Sequence, residues 1–174
     1  VSEKYICDIL NVCNSHFDMS RCSETSIEVN PATVTEDKLT AYKNAGINRI
    51  SMGAQSFVDE ELKLLGRVHL SDDIKSSYNL IRRCGFENVS LDLMFGIPNQ
   101  TLESFSHSLN QAVKLNPEHI SAYSLIVEEG TPFYEKYGED ALRREDGFEP
   151  IYLPSEEAER SMYKDAVELL EAAG

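Results

Sequence analysis

Apolar and polar residues alternate at period two in four short segments and recur at helical spacing in the stretches between them. The alternating segments are Thr25–Asn30, Asn48–Gln55, Asn88–Phe95 and His119–Val127, which the pattern predicts as strands. Helices are predicted from Ser2 to about Phe17 and from about Thr35 to Ala45, the latter with Thr33 or Thr35 as N-cap and Gly46 as a left-handed stop. A short helix should end near Gly66, and a helix capped by Ser71 should run to Cys84, where Gly85 follows the last turn. Thr101 to about Asn116 reads as the next helix, and Thr131 with Pro132 opens a further short one. Acidic Gly138–Pro154 is expected to be a loop, and Ser155 should start a helix that reaches the end.

Strands alternating with helices in this way predict an α/β fold with right-handed crossovers and parallel strands, either an open doubly wound sheet or part of a (β/α) barrel. The two faces of each strand favour the barrel. Ile27 and Val29, then Ile50, Met52 and Ala54, then Leu91, Leu93 and Phe95, then Ile120 and Ala122 make one face apolar. The opposite face is small or polar in most positions: Ser26, Glu28 and Asn30, then Arg49, Ser51, Gly53 and Gln55, then Ser90, Asp92 and Met94, then Ser121, Tyr123 and Leu125. A doubly wound sheet buries both faces and its strands should be nearly continuously apolar. A barrel would place the apolar face under the helices and turn Glu28, Arg49, Gln55 and Asp92 into its lumen. Because such lumens are ordinarily filled by branched apolar side chains, a polar one calls for a bound polar ligand. The alternative is a buried network of these groups among themselves, with Arg49 paired to Glu28.

At 174 residues the chain has the length of one domain, and 41% hydrophobic residues suffice for a core. Sixteen Lys and Arg against 30 Asp and Glu give a net charge of −14, with 14 acidic and 5 basic residues beyond Val127. That balance argues against binding nucleic acid or an anionic membrane. No apolar run is long enough for a transmembrane segment. The start, VSEKYICDIL, has neither an initiator Met nor the order of a signal peptide, so the chain is expected to be an excised piece of something longer. Four cysteines, Cys7, Cys13, Cys22 and Cys84, do not make a disulfide scaffold, and a reduced cytoplasmic setting is the default. Cys7 and Cys13 fall about 240° apart around a helix, off a common face, and all four read as structural thiols, with no metal site.

Glu28 and Asp92, inside strands, need a cation or several donors, which a ligand amine, ribose hydroxyls or Arg67 could supply. Gln55 ends its strand where (β/α) barrels place ligand-contacting groups. Arg67, in GRVH after a helix end, could clamp a carboxylate. The FGIPNQT segment from Phe95 to Thr101 is explained by turn chemistry, and neither GxxxxGK[ST] nor GxGxxG occurs.

In order along the chain stand EVNP (28–31), GINRISMGAQSF (46–57), LGRVH (65–69), LDLMFGIP (91–98) and YSL (123–125) through EGTP (129–132). Together these closely resemble the radical S-adenosylmethionine (SAM) enzymes related to oxygen-independent coproporphyrinogen III oxidase, over about Ser26 to Tyr137. EVNP, GRVH and EEGTPF are more similar to the haem-chaperone branch than to the oxidase. The resemblance implies a partial, six-stranded (β/α) barrel, with residues 1–137 as core βα units and 138–174 as an acidic loop and final helix. It implies that Glu28 contacts one SAM, that Gln55, Arg67 and Asp92 match positions contacting a second SAM in the oxidase, and that Leu125 and Ile126 pass the adenosine. It also implies a [4Fe-4S] cluster whose CxxxCxxC ligands are not in this chain, so the chain is expected to be inert alone. In the oxidase a 5′-deoxyadenosyl radical starts oxidative decarboxylation of porphyrinogen propionates; in the chaperone branch haem is held and passed to acceptor proteins. A non-catalytic scaffold with a degenerate barrel is the alternative, and a CxxxCxxC upstream of Val1 would exclude it.

Overall fold

Four parallel strands form the sheet, β1 (Ser26–Val29), β2 (Arg49–Gln55), β3 (Asn88–Phe95) and β4 (His119–Ser124), in the order β1-β2-β3-β4. The computed structural model describes residues 1–174. Each strand pairs with the next one in sequence, and the order never reverses. Right-handed crossovers in an unreversed order put every connecting helix on the same face. This is the winding of a (β/α) barrel, whereas a doubly wound sheet reverses at a switch point.

The helices are α1 (Glu3–His16), α2 (Glu36–Asn44), α3 (Asp59–Leu64), α4 (Ser71–Arg83), α5 (Leu102–Leu115), α6 (Pro132–Glu145) and α7 (Glu156–Ala173), with one 3₁₀ turn at Met19–Arg21. Helical spacing delivers their core residues: Ile74, Tyr78 and Ile81 of α4, and Phe105, Leu109 and Ala112 of α5, recur every three or four positions and are buried. They meet Ile50, Met52, Leu91 and Leu93 from the apolar sheet face in one continuous core. Leu91 and Leu93 are fully buried, so truncating either to Ala should cost ~2–5 kcal/mol. The other sheet face receives no helix. Its side chains line a cleft instead.

Three local expectations are corrected by the structure. Residues 138–145 are helical and not loop: α6 is capped by the Thr131 hydroxyl, begins with Pro132, and continues through Gly138 to a stop at Gly147, where φ is +81°. Gly138 fits inside this helix because the Tyr134 ring lies over it, where a Cβ would come within 3.0 Å. Second, β4 ends at Ser124 and does not reach Val127; one further bond, from Leu125 N–H to the Phe95 carbonyl at 2.8 Å, carries the chain past the end of β3. Third, Ser71 does not cap α4. Leu70 holds that position, its N–H donating to Asp73 Oδ2 at 2.9 Å, while Ser71 N–H donates to Asp59. Of the two cap candidates for α2, Thr35 is the one used. The apolar face of β4 is covered by α7, which also packs against β3 and α5; Met162 and Ala166 are its buried contacts.

Candidate functional site: a polar cleft on the open face of the sheet

The cleft has a volume of about 810 Å³ and is lined by nine polar residues and one glycine beside only two hydrophobic side chains, Val29 and Tyr123. That size suits a small molecule. Period-two alternation places Glu28 on β1, Arg49, Ser51, Gly53 and Gln55 on β2, Asp92 on β3, and Ser121 and Tyr123 on β4 along its wall. The parallel register sets Glu28 beside Ser51, and Gly53 beside Asp92 and then Ser121. Arg67 reaches the same cleft from the turn after α3, its guanidinium 3.4 Å from Asn30 Oδ1. Four of the residues singled out from sequence, Glu28, Gln55, Arg67 and Asp92, are therefore brought together. The other two are not among the lining residues: Leu125 is half-buried just past β4, and Ile126 is exposed.

The charges are not spent on one another. Arg49 turns away from Glu28, towards Glu24 at 3.7 Å and Ser26 Oγ at 3.4 Å, so the self-paired network is not what forms. Asp92 accepts only from Ser51 Oγ, at 2.9 and 3.1 Å, which leaves much of its acceptor capacity facing the cleft. Gln55 is the most informative. It is 4% exposed, and its Oε1 is the one buried side-chain polar atom of the molecule without a hydrogen-bond partner. Such an atom costs ~1–3 kcal/mol unless a ligand or water donates to it. A ligand rich in hydroxyl and amine donors, carrying both charge signs, fits this set.

The ends of the strands carry unusual backbone. Ala32, Gln55 and Asn99 have φ of +60°, +60° and +62°; Ala32 and Asn99 stand in the turns that follow β1 and β3, and Gln55 is the last residue of β2. Strain of this kind gathers at binding edges. Behind β2 lies His69, 1% exposed, with Nε2 3.5 Å from the Ala54 carbonyl. Burial lowers its pKa from the ordinary 6.5, so it is neutral at pH 7.

Sequence reasoning missed the groups that support this wall. Glu61, 5% exposed on α3, accepts from Ser56 Oγ (2.6 Å), Gln100 Nε2 (3.0 Å) and Ser104 Oγ (2.6 Å), tying the turn after β2 to the one after β3. Nothing in its sequence spacing marks it, because its partners lie on separate elements. No group of three or more His, Cys, Asp or Glu could hold a metal ion, and no helix is long and apolar enough to cross a membrane.

The sequence and the fold are similar to those of known proteins. Residues 20–112 match the family model described as the radical SAM superfamily. The chain is 41% identical over 175 residues to the heme chaperone HemW of Bacillus subtilis, covering all of this chain and 44% of the relative, and 37% identical over 166 residues to HemW of Escherichia coli, covering 95% and 40%. Among solved structures it is similar to coproporphyrinogen III oxidase (HemN) of Escherichia coli, with a TM-score of 0.81, 27% identity, all of this chain and 38% of that one. The chain thus spans less than half the length of these proteins. Its sheet is part of a radical SAM (β/α) barrel, and with the family model matching more than half of the chain, from before β1 into α5, the chain belongs to the radical SAM superfamily.

Proposed function

We propose that the cleft is a SAM site and that the whole protein acts in haem or porphyrin metabolism as a haem chaperone of the HemW kind. The observation that carries the SAM reading is the buried, unpartnered Oε1 of Gln55 in a wall whose carboxylates Glu28 and Asp92 have no cationic partner. In this reading Asp92 and Gln55 accept from ribose hydroxyls or an adenine amine, Glu28 takes an ammonium or hydroxyl donor, and Arg67 binds a carboxylate in its planar fork. SAM supplies a reactive adenosyl group when a [4Fe-4S] cluster reduces it; this chain's part is to hold and orient the nucleoside. Leu125 and Ile126, just beyond β4, are proposed to pack on the adenosine from the rim.

The chaperone reading rests on similarity, 41% identity to a heme chaperone against 27% to coproporphyrinogen III oxidase. Haem and acceptor proteins are its proposed partners, and its proposed location is cytoplasmic, a reducing setting in which unpaired cysteines are ordinary. Two assays on the full-length protein test it. Haem titration followed by absorbance should give stoichiometric binding, and anaerobic porphyrinogen decarboxylation should give no vinyl product. Product formation without haem binding would assign the oxidase activity instead.

A further inference from the structure

Gln55 is held in a backbone conformation that its own chemistry disfavours. Its φ of +60° is left-handed, a conformation in which a Cβ crowds the following carbonyl oxygen. It also interrupts the β2–β3 register, since Gly53 pairs with Asp92 and Gln55 with Leu93, skipping Ala54. Strain of this kind persists only where neighbours over-determine it. The next residue supplies the restraint. Ser56, fully buried, donates its hydroxyl to Glu61 at 2.6 Å and accepts at the same atom from Val58 N–H at 2.9 Å, while Ser108 on α5 lies 3.3 Å away and accepts from Phe57 N–H at 3.0 Å. Glu61 is in turn fixed by Gln100 and Ser104, so its carboxylate cannot swing off.

From these contacts we infer that Glu61, which lines no part of the cleft, is a positioning residue for the ligand. Through Ser56, and with Ser108, it locks Gln55 in the left-handed conformation in which its side chain lines the cleft wall. Gly53 completes the device. The Gln55 amide folds over it so closely that a Cβ there would lie 2.7 Å from Nε2. Backbone and side chain of Gln55 are thereby both constrained from outside the cleft. The inference rests on the SAM reading for the ligand's identity, not for the restraint itself.

Equilibrium binding of SAM to the full-length protein, measured anaerobically beside denaturant unfolding, tests both. Glu61→Ala should weaken SAM binding roughly tenfold, the scale of one lost hydrogen bond. Glu61→Gln, which keeps an acceptor for Ser56 and Gln100, should restore affinity to within about twofold. Ser108→Ala, a smaller perturbation that decides the matter if Glu61→Ala does not fold, should lose roughly threefold. In a Gln55→Ala background none of these should cost further affinity. Additive losses there, or full affinity in folded Glu61→Ala and Ser108→Ala, overturn the inference. If the unaltered protein binds no SAM, the SAM reading fails, and the restraint is judged by unfolding alone. Ser108→Ala should then destabilise more in a Gln55→Gly background, where loosening the restraint relieves no left-handed strain; equal destabilisation in both backgrounds overturns it.

Discussion

Two regions of this chain are rich in charge and treat it in opposite ways. In the segment from α6 to α7, charged groups are matched by the chain itself. Asp140, 4% exposed, accepts from three consecutive backbone N–H groups, Ile151 at 2.5 Å and Tyr152 and Leu153 at 2.7 Å. Burial opposes its ionisation, yet those three bonds and nearby Arg143 outweigh burial and hold the carboxyl below its ordinary range. Glu159 pairs with Arg144 and also accepts from Ser124 Oγ at 3.3 Å. In the cleft, Glu28, Arg67 and Asp92 stand at comparable density with a weak partner or none. Charges that hold a fold together are paired within the chain. Those left open on the cleft wall are, on the proposed function, held for a ligand.

The sharpest way to break this contrast is to remove the paired carboxylates. Asp140→Ala strands three backbone N–H groups, two of them on half-exposed or exposed residues, and should cost ~3 kcal/mol of unfolding free energy, read from denaturant melts. Glu159→Ala comes next. It leaves Arg144 about one-fifth exposed without its partner, and frees Ser124 at the end of β4, for a loss of ~2 kcal/mol in the same measurement. Losses below ~0.5 kcal/mol for both would mean that this segment is as loosely held as the cleft wall.

The cleft was legible in the sequence and the supporting segment was not, for a physical reason. Glu28, Gln55 and Asp92 sit on strands, where period two assigns a face without knowledge of any partner. Arg67 was found by its motif, and its reach into the cleft depends on the turn after α3. The left-handed φ of Gln55 has no local sign, because Gly is the usual marker of that conformation and it is absent there. Glu61 meets Ser104, and Ser56 meets Ser108, across elements more than 40 residues apart in sequence. Around Gly138 the pattern misled outright. The glycine and its acidic neighbours resemble a loop, whereas the cap at Thr131, the aromatic pair Phe133 and Tyr137 one turn apart, and Arg143 and Arg144 in the last turn all belong to a helix.

A smaller effect should appear with pH. His69 is buried against Ala54 beside the Gln55 turn, and burial lowers its pKa from 6.5. The unfolded chain therefore binds a proton that the folded chain refuses. Stability is full above 6.5 and declines as pH falls from there towards the lower folded value. Asp140 does not blur this window, since its stabilisation is lost only on going below the ordinary carboxylate value of 3.8. Denaturant melts at pH 7.5 and pH 5.5 should show a drop that is smaller in His69→Gln; an unchanged drop would place the titrating group elsewhere.

The least change in folding, and the clearest separation of the two regions, is expected at Asp92. Asp92→Asn keeps an oxygen for the Ser51 hydroxyl and removes a charge that no cation in the chain offsets. Stability should stay within about 0.5 kcal/mol of the parent and can even rise, because an uncompensated carboxylate in a strand costs solvation energy that an amide does not. SAM binding should nevertheless fall roughly tenfold, since the ribose or amine donors lose a charged acceptor for a neutral one. The paired region predicts the reverse: Glu159→Gln, away from the cleft lining, should lower stability while SAM affinity is kept. If Asp92→Asn instead unfolds the protein, its carboxylate is a structural group like Asp140. The distinction between open and closed charge would then not mark where the ligand lies.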